Sequence, residues 1–278
     1  MNPEIPSPDH PTCEWLEPDG RGGFASGTAD GRRTRRYHAL LLTAQPPPTG
    51  RFVLVNGLEV WLETAGGRFA LSTQAYAPGV VHPDGAGRIR AFTRDPWPAW
   101  TFACEDGTRV RQEVFVAREH GLTVISWRRM DGAGDARLRV RPLISGRDYH
   151  ALHRENGEFR FASERQGDRV TWRPYPGVPA IHAWHGANGA YADAPDWYRN
   201  FLYSEERARG LDHTEDLASP GVFTWDLAAG EAVLVLGAEG AGLAEALRTR
   251  ERERRAAFPS PLHRAADDYV VEIGRAHV

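Results

Sequence analysis

The sequence predicts a mainly β protein, a large antiparallel sandwich (supersandwich) followed by C-terminal linker helices, and three observations carry that expectation. Short apolar runs recur at a spacing of roughly ten residues, the rhythm of a many-stranded sandwich. Glycine and aspartate mark the joints between them, as in EDG at 105–107, DGAGD at 131–135 and QGD at 166–168. TVISW at 123–127 and LRVR at 138–141 partly alternate apolar with polar residues, as strands with one wet face do.

Taken in order, residues 1–12 are polar and proline-rich and read as an extended lead. CEWLEPDGRGGFASGTADGRRTRRYHALLL at 13–42 is the stretch densest in position-specific chemistry. Gly20, Gly22, Gly23, Gly27 and Gly31 stand among Asp19, Ser26, Thr28 and Asp30, which demands tight turns. The stretch continues through Thr34, Arg35, Arg36, Tyr37 and His38 into a short apolar strand at 39–42. QPPPTG at 45–50 ends that strand in an exposed loop, because consecutive prolines cannot donate to a ladder. Strands at 51–55 and 58–63 flank Asn56-Gly57, the strongest short hairpin signal. AGG at 65–67 turns into 68–72, and strands follow at 100–104, 108–117, 122–129, 137–145, 158–164, 168–173, 221–227 and 231–236. LAEALRTRERERRAAF at 243–258 has helical spacing with an i,i+4 pair, Glu251 to Arg255, and reads as a solvated helix. Ser260 and Pro261 suit the N-cap and first position of a second helix reaching about residue 271.

Composition narrows the function classes. The 278 residues carry 34 basic and 37 acidic side chains, a net charge of −3, which argues against nucleic acid or an anionic membrane as the main partner. All the basic residues are arginine. There is no apolar run of 18 residues, so no membrane span is expected, and MNPEIPSPDHP lacks the apolar core of a secretory signal. A cytoplasmic location is the expectation that follows. Cys13 and Cys104 are too few for a disulfide framework and read as reduced core thiols.

Three ordered blocks resemble one family. EWL, DGRGGFASGT and TRRYHALLL near the start are similar to the opening of the N-terminal domain of bacterial and archaeal glycogen debranching enzymes. RPLISGRDYHALHREN at 141–156 and WYRNFLYSEERARGLDHTEDLASPGVFTWDL at 197–227 match the same domain. Phe24 stands where that family often has tyrosine, and Ala39 where it often has glycine. The resemblance implies a part in hydrolysis of α-1,6-linked glucose stubs, with 4-α-glucan transfer as a companion activity, no cofactor, and α-glucan (glycogen or limit dextrin) as partner. It also implies that the general acid and base lie on a helical barrel outside this chain, the second partner expected, so no catalytic residue is assigned. LHRAADDYVV at 262–271 resembles the first helix of that barrel, and EIGRAHV at 272–278 reads as a translated sequencing adaptor. The expected layout is thus a lead at 1–12, the β domain at 13–240, a linker helix at 241–258 and the start of the barrel domain at 259–271.

The candidate site residues each admit two readings. Arg35, Arg36, Tyr37 and His38 either touch glucan at a domain edge or serve as structural and interdomain contacts. Read as strand, only alternate members such as Arg36 and His38 share a face. Trp197, Tyr198, Phe201 and Tyr203, with Glu205, Glu206, Arg207 and Arg209, mix flat aromatics with planar charged groups, as sugar recognition requires. The other reading puts those aromatics in the core and has residues 206–210 cap a short helix. Glu205 and Glu206 are sequence neighbours and do not satisfy the spacing of a hydrolytic pair. His150/His153 and His182/His185 form two His-x-x-His pairs without an evident third ligand, and no metal site is assigned. A free-standing α-glucan-binding module without catalysis is the competing function. The debranching-enzyme reading also expects an exposed apolar or aromatic face, the surface the barrel would cover.

Overall fold

The computed structural model describes residues 13–45, 50–240 and 243–271 and places them in two large antiparallel sheets packed face to face. The expected lead, residues 46–49 of the proline loop, the first two residues of the expected linker at 241–242 and the tail at 272–278 lie outside the described residues.

Eighteen strands are present among the described residues. In chain order they begin with β1 (Glu14–Pro18), β2 (Phe24–Thr28), β3 (Leu41–Ala44), β4 (Arg51–Thr64), β5 (Gly67–Ala70) and β6 (Thr73–Tyr76). Next come β7 (Val80–Asp84), β8 (Ile89–Thr93), β9 (Ala99–Ala103), β10 (Arg109–Ala117), β11 (Leu122–Asp131) and β12 (Ala136–Asp148). The last are β13 (Ser163–Gln166), β14 (Arg169–Trp172), β15 (Ile181–Trp184), β16 (Gly189–Leu202), β17 (Thr214–Asp226) and β18 (Ala232–Gly237). A short helix α1 (Ser204–Ala208) joins β16 to β17, and α2 (Ala244–Ala256) and α3 (Pro261–Asp267) follow the sheets.

The larger sheet runs β1-β2-β3-β4-β12-β17-β16-β6-β7, with β5 added to β4. The smaller runs β13-β14-β15-β18-β11-β10-β9-β8. At the centre of the larger sheet β4 and β12 pair over their length, and their two-residue period sets both faces. Leu58, Val60, Leu62, Leu138 and Val140 are buried in the core between the sheets. The intervening residues pair across the other face, Glu59 opposite Arg141, Trp61 opposite Arg139 and Glu63 opposite Arg137. Trp127, Trp172, Phe223 and Trp225 close the core from the other strands.

Five expectations are corrected. Asn56-Gly57 is no hairpin: both residues lie inside the 14-residue β4. Asn56 is buried and donates to Glu215, and a Cβ at position 57 would collide with Arg33 Nη1, so the dipeptide answers to packing rather than to a turn. Of the strand expected at 158–164 only the end is strand, in β13, and α3 stops at Asp267 rather than near 271. Cys104 is buried as expected, whereas Cys13 is half-buried beside Arg94. Helix α2 is not solvated all round, since Leu247 and Glu251 are buried against the sandwich.

That docking is mainly ionic. Arg255 forms an ion pair with Glu17 of β1 and donates from Nε to Glu251 Oε1 at 2.7 Å, and all three side chains are at most 8% exposed. Arg254 extends the network to Asp267 at 2.8 Å, and Arg118 reaches the same carboxylate at 2.5 Å. Arg248 joins Glu231 at 2.7 Å. The large apolar residues left exposed among the described residues include Leu16 on β1, Val80 and Val81 on the edge strand β7, Leu243 before α2, Leu262 in the first turn of α3, and Tyr269, Val270 and Val271 after it.

Removing one partner of a buried pair strands the other charge in a place water does not reach. Arg255→Ala, which leaves Glu17 and Glu251 facing each other, is expected to lower the unfolding free energy in urea by about 3–5 kcal/mol. A loss below about 1 kcal/mol would mean that the Glu17–Arg255 pair does not hold α2 on the sandwich.

Candidate functional site

The glycine-rich opening folds around Asp19. Its Oδ1 accepts from the backbone N–H groups of Arg21 at 2.7 Å and Gly23 at 2.8 Å, which closes the turn between β1 and β2. A Cβ at Gly23 would strike the Leu42 carbonyl oxygen and the Asp19 carboxylate, so the close approach of the two backbones requires glycine there. After β2 the chain turns again: Thr28 Oγ1 donates to the Arg32 carbonyl at 2.5 Å, and His38 N donates to the Arg35 carbonyl at 3.1 Å. Residues 35–38 are therefore a turn and not a strand, and the expected alternation of faces does not apply to them.

This turn gathers most of the residues singled out in the sequence. Arg35 Nε donates to Glu14 Oε1 at 2.6 Å and its Nη2 lies 3.8 Å from Glu205 Oε2. His38 Nδ1 accepts from Thr34 N at 3.2 Å while Nε2 faces Glu14 at 3.5 Å. Glu206, 1% exposed, accepts from Arg36 N at 3.2 Å and Arg209 Nη2 at 2.9 Å, with Arg36 Nη2 at 3.5 Å. Arg36 Nη1 also reaches the His150 carbonyl at 2.8 Å, and Tyr37 stands at the rim with its hydroxyl 3.2 Å from His150 Nδ1. Burial, only partly offset by Glu14, pushes the His38 imidazole down to about 4, so at neutral pH it is uncharged.

Beneath the turn lies a group that sequence reasoning missed. Glu215 of β17, 0% exposed, is paired with Arg147 and accepts from the Tyr203 hydroxyl, Asn56 Nδ2 at 3.3 Å and His153 N at 3.0 Å. Arg147 Nη2 in turn donates to the Arg36 carbonyl at 2.7 Å. Arg147 and Glu215 do fall in the second and third matched blocks, which was their only signal in the sequence. The carboxylates of this whole region face guanidinium groups, an arrangement that fixes chain segments and is unlike a free acid and base across a bond.

Trp197 and Tyr198 are elsewhere. Both lie on β16 and line an open basin of about 730 Å³ on the outer face of the larger sheet, with Trp61, Tyr76, Arg139 and Arg141. Trp197 stacks on His153 at 5.4 Å between ring centres, and Tyr76 packs on Phe201 at 4.6 Å. The Arg68 guanidinium lies 4.1 Å over the Trp61 ring, and Arg141 lies 5.7 Å from that of Tyr198. Among the described residues Arg141 has no carboxylate within 4.0 Å, and the Trp61 indole N–H has no acceptor. Flat rings, guanidinium groups and Glu59 on one concave surface can cover the C–H face of a pyranose and bond its hydroxyls.

The histidine pairs do not converge. His153 spends both ring nitrogens, on the Asp216 carbonyl at 2.8 Å and the Tyr175 hydroxyl at 2.6 Å, and burial holds its pKa below the ordinary value. His182 Nδ1 meets Thr171 Oγ1 at 2.9 Å and His185 Nδ1 the Gly186 carbonyl at 2.9 Å. Among the described residues no group of three metal-ligating side chains is present.

The family model described as glycogen debranching enzyme N terminal matches residues 13–234. Among solved structures, a bacterial glucoamylase complexed with acarbose is similar at 10% identity with a TM-score of 0.31. That match covers 94% of this chain and 34% of the glucoamylase, so the chain spans about a third of that protein's length. No curated protein matches the sequence.

The buried His38 makes the turn acid-sensitive in a defined window. Unfolded, the imidazole titrates near 6.5, and folded near 4, so between these values the unfolded chain binds the extra proton. Stability present above pH 6.5 is expected to fall, by up to about 3 kcal/mol, as the pH drops toward 4. Urea unfolding at pH 7, 5.5 and 4.5 measures it, and His38→Gln should flatten the slope. An unchanged slope in that variant would assign the loss to other groups.

Proposed function

Because the chain belongs to the glycogen debranching enzyme N-terminal family, we propose that it is the non-catalytic, glucan-contacting part of a debranching enzyme. In this reading, hydrolysis of α-1,6-glucosidic stubs, with 4-α-glucan transfer, is carried by a catalytic domain outside the chain. The β-sandwich supports that domain and holds a neighbouring stretch of glycogen or limit dextrin.

The basin formed by Trp61, Tyr76, Trp197 and Tyr198 carries the reading, since aromatic faces meet there on an open surface with Arg141, a guanidinium that has no carboxylate partner among the described residues. Arg35, Arg36, Tyr37, His38, Glu205, Glu206 and Arg209 then act as positioning residues: they fix the turn at 35–38 against α1 and β17 rather than touch sugar. Glu205 and Glu206 are no hydrolytic pair in this scheme, because Arg35, Arg36 and Arg209 hold them as paired carboxylates.

Two measurements test the proposal. The purified chain should release no glucose from a limit dextrin, and release would move catalysis into these residues. The chain should also be retarded in native gels containing glycogen, and Trp61→Ala, which removes a half-buried ring without breaking a hydrogen bond, should weaken retention about five-fold, a loss of roughly 1 kcal/mol. Retention equal to that of the unaltered chain would remove the basin from glucan binding.

A further inference from the structure

A second cavity, of about 90 Å³, lies between the two sheets and shares no lining residue with the basin. A water needs roughly 10–15 Å³ by this measure, so the space takes roughly six to nine water-sized groups. Exposed Gly31 and half-buried Arg32 lie on its wall and give it an outlet. Trp15 and Trp100 form an apolar side, and their indole N–H groups are already spent on the Thr28 and Ala29 carbonyls.

Three buried polar side chains on the wall are left incomplete by the protein. Asn56, 1% exposed, gives its Nδ2 to the Glu215 carboxylate, which fixes the amide orientation and leaves Oδ1 without a donor. Gln74, 2% exposed, gives Nε2 to the Leu58 carbonyl at 3.0 Å, and its Oε1 is likewise unpaired. Arg33, 9% exposed, is the strongest case. Among the described residues it has no carboxylate within 4.0 Å and its Nε donates to nothing, and the group it faces is the Phe201 ring at 5.0 Å. Nearby, Arg32 Nε has Asp30 Oδ2 at 3.4 Å, so Asp30 offsets Arg32 and leaves the charge of Arg33 uncompensated. The glycine at position 57 keeps space for this guanidinium in the middle of a central strand. A buried cation with unused donors is costly, and a sheet that gives up a side chain to accommodate one retains it against that cost.

We propose that this cavity binds a small hydroxylated anion of about three carbons. Its carboxylate or phosphate oxygens sit against the Arg33 guanidinium, its hydroxyls donate to Asn56 Oδ1 and Gln74 Oε1, and its C–H groups lie along Trp15 and Trp100. The site does not rest on the glucan reading, because it is internal, holds a net positive charge and is separate from the basin.

Calorimetric titration and thermal unfolding of the full chain test it with four probes: glycerol 3-phosphate, D-glycerate, glycerol and inorganic phosphate. At least one of the two hydroxylated anions should bind saturably and raise the Tm, and which one does identifies the oxyanion. Glycerol and phosphate, each carrying half of the recognition, should bind at least ten-fold more weakly. Arg33→Met should lose the ligand-induced Tm shift while being no less stable than the parent without ligand, since it removes an unpaired buried charge. Gln74→Leu should fold and weaken the anion at least three-fold. No saturable binding of either anion, equal binding of a half-probe, or undiminished binding in a folded Arg33→Met or Gln74→Leu chain would overturn the proposal.

Discussion

The fold depends on one carboxylate kept out of water. Glu215 lies fully buried in the larger sheet and is tolerable there only because Arg147, Tyr203, Asn56 and the backbone N–H of His153 all turn toward it. Those partners come from β12, the junction of β16 and α1, β4 and the chain after β12, so satisfying one charge fixes the relative placement of four segments. Arg147 then passes the constraint on, because its Nη2 holds the Arg36 carbonyl and with it the turn at 35–38. Arg36 of the same turn and Arg209 at the end of α1 in turn face buried Glu206. A network of this kind is all or nothing: a half-satisfied version would be worse than an apolar core.

How much of this was legible in the sequence depended on whether the signal was local. The strands with glycine or aspartate at both ends, such as β10, β11 and β18, read correctly because turn chemistry and two-residue alternation both operate within a few residues. Ser260 and Pro261 announced α3 for the same reason, and the Ser260 hydroxyl does accept from His263 N. Asn56-Gly57 misled because the features that suit a hairpin turn, a small residue and a short amide, also suit a central strand that must admit an arginine and donate to a carboxylate. β16 went unread because GAYADAPDWYRNFL is polar along much of its length and carries a proline, and its place is set by pairing with β17.

The candidate residues were sorted by the same distinction. Trp197 and Tyr198 stand only a few positions before Glu205 and Glu206, which suggested one surface. β16 ends at Leu202 and α1 turns away, so the aromatics face the basin and the carboxylates face the turn at 35–38. Trp61, by contrast, lies far off in the chain and joins the basin through the register that sets it opposite Arg139. A sheet gathers residues across strands rather than along them, so linear proximity is a poor guide to a site built on its face.

Arginine is the sole strong cation in this chain, and its placement distinguishes two uses. Where a guanidinium is buried for structure, a carboxylate meets it: Arg147 with Glu215, Arg36 with Glu206, Arg255 with Glu17 and Glu251. Planar, multiply donating and always charged, the group ties two or three segments at once, which a lysine in the same places would not do. Arg33 breaks that pattern inside the sandwich, and Arg141 breaks it on the outer face, where its nearest polar partners are the Ala194 carbonyl and the Ser219 hydroxyl. Neither exception is demanded by packing: the neighbours of Arg33 are a ring and a glycine, and Arg141 reaches over an open surface. Among the described residues the arginines that tie segments together through a carboxylate thus differ from Arg33 and Arg141, which no carboxylate answers.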